Sequence, residues 1–374
     1  MHQPRGKIRL LMTAGPSEIS PRTLRAMSAQ TTYPWTSEFI DFYQDTEKKL
    51  AQILQTRNDI VIMHGECVLG LEAAIASTLN PGDKALVLDS GPFGKGMGAW
   101  IKMYGGEPVY LSVEYNDAID PADVKKKLDE EKDAKLLTVV HSETPAGTIN
   151  PIKEICRTAN KRGLLTIVDA ASSLGGMDIR PEEWGIDICV GAAQKCLSGP
   201  PLSVMSVSKN AWQTMENKRN PLRFSYLSIL DWKENWIKKR RFPYAPLVSD
   251  IYGINEAATE VLEEGMQKVF NRHKSVANAT RTGIQRMGLK LWPKRTEIAA
   301  DTLTAVTVPK GINDQKVIDL MLERYGILIG RSLFELEGKA MLIAHMGYNA
   351  TLANAAATLA ALEWTLSDLG YRRS

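Results

Sequence analysis

Cysteine is scarce in this chain. Four in 374 residues, at Cys67, Cys156, Cys189 and Cys196, follow no metal-ligand spacing, and Cys189 and Cys196 lie too far apart for a CxxC pair. That pattern predicts reduced thiols in a cytoplasmic protein and no metal site. Long apolar runs are missing too: none approaches the ~18 residues of a membrane span. The basic N-terminus, MHQPRGKIRLLMTAGP, has an apolar run too short for a signal peptide. Charge of one sign is also lacking. With 46 Lys and Arg against 43 Asp and Glu, the net charge of +3 argues for neither nucleic acid nor membrane as a partner. The basic residues are scattered apart from one cluster, Lys238–Arg241. Internal repeats and low-complexity linkers are absent. What remains is an ordinary globular composition, about two to three typical domains long.

Short apolar runs alternate with helical stretches from about residue 45 to 255. DIVIMHG precedes LGLEAAIASTL, and KALVLDSG precedes GKGMGAWIKMYG; EPVYLSVEY, LLTVVHSET, LLTIVDAAS, IDICVGAA and LSVMSVS follow. This βαβ alternation predicts an α/β domain with a mostly parallel sheet covered by helices. Around 255–290 the pattern turns to long helices. Beyond about 295, strand and helix patterns alternate again, which predicts a smaller C-terminal α+β domain. The expected division is an N-terminal arm over 1–20, a large domain over 21–255 and a small domain over 256–374.

Two segments of the large domain point to chemistry. The apolar run Leu164-Leu-Thr-Ile-Val ends in Asp169, placing a carboxylate at the carboxyl end of a strand, where open α/β sheets bind ligands. Downstream, Lys195 lies among small residues and Pro200-Pro201, on a constrained loop rather than a solvated face. A pyridoxal cofactor needs this combination: a lysine for the Schiff base and a carboxylate to keep the pyridine nitrogen protonated. Either residue alone reads more simply, as a surface lysine or a helix cap.

Seven motifs in order, TAGP (13–16), HGECVLGLEAA (64–74), SGPFGKG (90–96), HSETPAGTINP (141–151), VDAASSLGG (168–176), QKCLSGPP (194–201) and AHMG (344–347), span essentially the whole chain. Together they resemble the class V, fold-type I aminotransferases that depend on pyridoxal 5′-phosphate. Within that class they are most similar to the pyridoxamine–pyruvate type. The resemblance implies that Lys195 is the Schiff-base lysine and proton shuttle and that Asp169 partners the pyridine nitrogen. It implies Phe93 on one ring face, Ala171 on the other, Thr144 at the ring or substrate edge, and Gln194 as a phosphate or ring contact. It also implies a homodimer or dimer of dimers, with segment 235–250 of one subunit reaching the other's site, acting on a small-molecule amino donor and oxo acceptor.

Two departures from that family pattern bear on substrate. The phosphate loop reads His64-Gly65-Glu66-Cys67, so a carboxylate stands where a dianion would sit. The family's phosphate-binding Tyr and Thr align with Phe242 and Ala245, neither of which has a hydroxyl. The expectation is an unphosphorylated ring compound, with Glu66 accepting a hydrogen bond from its 5′-hydroxymethyl group; otherwise Glu66 faces solvent and Lys238–Arg241 supply the phosphate charge. The arginine that clamps a substrate carboxylate in relatives is replaced by Leu342, and a second arginine aligns with Leu333. Arg331 is the nearest alternative cation, with Arg240 another. His345 reads as a packed core histidine. Alternative functions are a conventional pyridoxal-phosphate aminotransferase, a lyase, epimerase or decarboxylase with the same cofactor, or a non-catalytic ligand-binding protein on this fold.

Overall fold

The computed structural model describes residues 6–372. In chain order its strands are β1 (Leu10–Met12), β2 (Asp59–Met63), β3 (Lys84–Asp89), β4 (Glu107–Ser112), β5 (Leu136–Val140), the short β6 (Ser142–Glu143) and β7 (Thr148–Ile149), β8 (Leu165–Asp169), β9 (Ile188–Ala192), β10 (Ser203–Val207), β11 (Leu303–Thr307), β12 (Ile327–Arg331) and β13 (Ala340–Ala344). Seven of them form the large sheet, in the order β2-β10-β9-β8-β5-β3-β4. Strands β3, β4, β5, β8 and β9 run parallel, while β10 is antiparallel to both β9 and β2. The reversal of β10 has a simple cause. A parallel neighbour needs a crossover of a dozen or more residues, and only the lysine-bearing loop 193–202 joins β9 to β10. Strands β5, β8, β9 and β10 are buried along their whole length, which is why they read as unbroken apolar runs without alternation.

The carboxyl ends of the parallel strands carry the chemistry. Asp169 ends β8, the loop to Phe93 leaves β3, Glu143 and Thr144 follow β5, and Lys195 follows β9. Helix Cys67–Thr78 packs beneath them against β8, β9 and β10.

The small domain is a four-stranded sheet in the order β1-β12-β13-β11. Its first strand lies in the stretch expected to be an arm. Leu10 pairs with Ile327 in parallel register, and Met12 is fully buried in a core with Ile284, Val306, Ile329, Ile343 and Leu362. Strand β1 within that stretch is therefore built into the small domain's sheet. The domain boundary also differs from expectation. Position 255 falls inside helix Val248–Glu264, which packs on helices Pro21–Met27 and Ser37–Ile53 and buries Ile251, Ile254 and Ala258 in the large core. The chain breaks at Gly265, at φ +88°, before helix Met266–Arg286 begins. Among the described residues no helix is long and apolar enough to cross a membrane.

Candidate active site

Lys195 sits on the tight loop from β9 to β10, and the chain's N-terminal stretch holds that loop in place. Ser17 donates its backbone N–H to the carbonyl of Gln194 at 2.8 Å, and its hydroxyl donates to the carbonyl of Lys195 at 2.5 Å. Gly15 lies against the lysine stem at φ +135°; a Cβ there would stand 3.1 Å from Lys195 Cε, so both backbone conformation and space favour glycine in TAGP. The Lys195 ammonium is aimed inward. Its Nζ donates to Ser172 Oγ at 2.9 Å, lies 3.5 Å from Thr144 Oγ1, and stands 6.0 Å from the centre of the Phe93 ring.

Asp169 is buried behind it. Burial pushes its carboxyl above the ordinary range, while the Ala171 N–H and the nearby Lys195 charge pull it back. Its Oδ1 accepts the Ala171 N–H at 2.7 Å and faces Cys67 Sγ at 3.9 Å. Burial raises the Cys67 thiol well above its usual range, so it stays protonated and acts only as a weak donor. Among the described residues Oδ2 of Asp169 has no partner. A buried carboxylate with a free acceptor oxygen opposite a lysine suits the ring nitrogen and aldehyde of a pyridoxal compound.

At the other edge, Glu66 caps helix Cys67–Thr78. Its Oε1 accepts the Val68 N–H at 3.2 Å, and its Oε2 lies 3.5 Å from Gln194 Nε2. The turn is fixed from below by Ser203, whose Oγ lies 3.0 and 2.7 Å from the carbonyls of Gly65 and Glu66. His64 is wedged edge-on against Trp232 and Tyr244, and burial lowers its pKa to about 4, so the ring is neutral at pH 7.

Lys195, Asp169, Cys67, Ala171, Thr144, Phe93, Gln194 and Glu66 thus come together at the carboxyl ends of the parallel strands. Phe242 does not join them within the chain. It is stacked on Trp236 with centroids 4.4 Å apart and packed edge-on by Tyr43 and Phe39, as part of its own subunit's aromatic core. Arg331 departs from expectation as well. Its guanidinium is held by the buried Asp314 at 2.8 and 3.3 Å and by Glu337 at 3.1 Å, so it is no free carboxylate clamp. Leu342 is buried with Cys196, Leu303, Ala305 and Met346 beneath the lysine loop, a packing rather than a substrate position. His345 is buried with its Nε2 3.0 Å from Thr304 Oγ1, and burial lowers its pKa to about 3, as suits a neutral core histidine.

Ser172 and Glu143 were not singled out in the sequence. Ser172 takes the lysine's hydrogen bond and is itself bonded to Thr144. Glu143 is fully buried, and its two oxygens accept the N–H groups of Phe93 at 2.9 Å and Gly94 at 3.1 Å. It therefore holds the first turn of helix Pro92–Met103 and with it the Phe93 ring. Space at Gly91 is reserved for it: a Cβ there would fall 2.1 Å from Glu143 Cγ.

The family model for Aminotransferase class-V matches residues 10–349. The chain belongs to the class V aminotransferases. It is 40% identical over 366 residues to a pyridoxamine–pyruvate transaminase of Mesorhizobium japonicum, covering 97% of this chain and 93% of that one. To the (S)-ureidoglycine–glyoxylate transaminase of Bacillus subtilis it is 30% identical, covering 96% of this chain and 91% of that one. Among solved structures, pyridoxamine–pyruvate aminotransferase from Mesorhizobium loti superposes with a TM-score of 0.96 at 38% identity, covering 99% of this chain and 95% of that one. Such agreement fixes this aminotransferase's fold as the fold-type I architecture, and the class V family depends on pyridoxal phosphate.

Proposed function

We propose that this aminotransferase exchanges an amino group between pyridoxamine and a small carbonyl compound, with the vitamin ring carrying a free 5′-hydroxymethyl group rather than a phosphate. The observation that carries this reading is Glu66. Its carboxylate occupies the N-terminus of helix Cys67–Thr78 and takes the Val68 N–H that a bound anion would use. Two like charges ~4 Å apart repel by about 1 kcal/mol in water and about 4 kcal/mol at an effective dielectric of 20. Neutral His64 offers no offset, and Lys238 of the basic run is matched by Glu234 at 2.6 Å. Gln194 adds a second argument. Glu66 can only accept, which turns the amide nitrogen toward it and leaves Gln194 Oε1 buried without a partner. A hydroxyl can donate to that oxygen; a phosphate dianion has no proton to give. The identity with the Mesorhizobium transaminase supports the same reading.

A bound pyridoxal ring supplies an electron sink for a C–H bond next to nitrogen. The chain's own residues do the rest. Lys195 Nζ carries the proton between the two reacting carbons, and Ser172 and Thr144 aim it. Asp169 holds a proton at the ring nitrogen through its free oxygen. Phe93, set by Glu143, orients the ring face.

Purified protein mixed with pyridoxamine and carbonyl compounds should form pyridoxal and a new amine in equal amounts, followed by absorbance and mass spectrometry. Turnover confined to pyridoxamine 5′-phosphate would return the chain to conventional pyridoxal-phosphate transamination. Loss of carbon dioxide or another fragment from the partner compound would indicate a lyase.

The active unit in this reading is a homodimer. Phe224, 96% exposed, and the exposed Tyr226, Tyr33 and Trp35 are large apolar side chains that a second copy would cover. Light scattering should give twice the chain mass; a fully active monomer contradicts it.

A further inference from the structure

Leu333 and Phe334 are large, apolar and exposed, at 48% and 63%. The loop that presents them is anchored on both sides. Buried Ser332 donates its hydroxyl to the carbonyl of Pro145 at 2.6 Å, next to Thr144. Glu335 pairs with Lys95 at 2.8 Å, on the same helix as Phe93. Phe334 adopts φ +57°, a costly conformation for an aromatic residue, and its ring stands edge-on to Phe93 with centroids 6.1 Å apart. Phe93 in turn lies beside the Lys195 ammonium. An apolar surface therefore runs from the lysine through Phe93 to Phe334.

Two cations beside this surface are already ion-paired. Arg331 is tied to Asp314 and Glu337, and Lys95 to Glu335. Leu342 is buried in packing. A substrate carboxylate brought here would shed water with neither Arg331 nor Lys95 free to replace it. An alkyl or aryl group would instead cover exposed rings.

We propose that the amino acceptor is an uncharged aldehyde or ketone with an apolar substituent, not a 2-oxo acid, and that Phe334 selects it. This rests on the amino exchange with pyridoxamine described above. In that exchange the acceptor's carbonyl carbon gains the amino nitrogen and a hydrogen and is reduced by two electrons. The CH2–NH2 carbon of pyridoxamine gains the oxygen and is oxidised by two electrons, so no external oxidant or reductant is needed.

The test measures kcat/KM of the full-length protein with pyridoxamine and, in turn, hexanal, phenylacetaldehyde, pyruvate and glyoxylate, corrected for the rate without protein. The aldehydes should exceed the oxo acids by about tenfold or more. Phe334→Ser should lower the aldehyde values about tenfold through KM and leave the oxo acids unchanged, while Phe334→Leu keeps the preference. Higher values for the oxo acids overturn the proposal, as does a Phe334→Ser variant that lowers all four alike. A variant that loses its oligomeric state but keeps its preference makes Phe334 an interface residue and overturns it too. Turnover with the oxo acids alone removes only the acceptor class. Turnover with none of the four removes the amino-exchange reading and this inference with it.

Discussion

The ammonium of Lys195 donates to the hydroxyl of Ser172 over 2.9 Å, and Ser172 is in turn hydrogen-bonded to Thr144. The lysine is thus aimed by two hydroxyls brought from the ends of two different strands, β8 and β5. Ser172→Ala removes the nearer one without opening the fold, since the serine is a small buried side chain. The expected result is a roughly tenfold to hundredfold slower amino exchange in single-turnover absorbance traces, the scale of losing one positioned polar partner. An unchanged rate would mean that the hydroxyl does not aim the lysine.

Asp169→Asn keeps the shape of the buried site but removes the charge that, in the proposed mechanism, holds a proton at the ring nitrogen. Amino exchange should fall by about 10² or more, with the thermal midpoint little changed. A loss below about threefold contradicts the assignment, because a purely structural aspartate would show itself in stability rather than rate.

Glu143 makes a prediction in pH. Burial raises its carboxyl from the ordinary 4.5 to about 8 in the folded chain. The folded state therefore keeps a proton that the unfolded chain has already released. The stability from this group is fully present below pH 4.5 and is lost as pH rises toward about 8. The slope over that window is at most about 1.4 kcal/mol per pH unit for a single proton. Thermal midpoints from pH 5 to 8 should fall more steeply for the native chain than for Glu143→Gln. Parallel curves would show that Glu143 is not the titrating group.

Much of this site could be read from residues alone, and the exceptions have physical causes. Asp169 was legible because an acid closing an unbroken apolar run must face something polar. Glu143 carries a related signal in LLTVVHSET, but an intervening His-Ser pair blurs it. Ser172 gave no signal, since a serine among small residues looks like any turn. The strands of the large sheet were legible as continuous apolar runs, whereas the reversal of β10 depended on the length of the loop before it. The first strand was missed because Leu10–Met12 is too short to show a period and finds its partner more than three hundred residues away. The ion pairing of Arg331 and the packing of Phe242 were out of reach of local sequence for the same kind of reason. What occupies a guanidinium or covers an aromatic ring is decided by distant residues, here Asp314 for one and Trp236 with Tyr43 for the other.

Isothermal titration of the ligand-free protein with pyridoxal and with pyridoxal 5′-phosphate tests whether Glu66 turns the phosphate corner into a hydroxyl corner. Pyridoxal should bind about tenfold or more tightly than its phosphate ester, a difference of about 1.4 kcal/mol or more. Glu66→Ser, which keeps a helix cap but removes the charge, should shift the preference toward the ester. Phosphate ester binding tenfold tighter than pyridoxal in the native chain would contradict it.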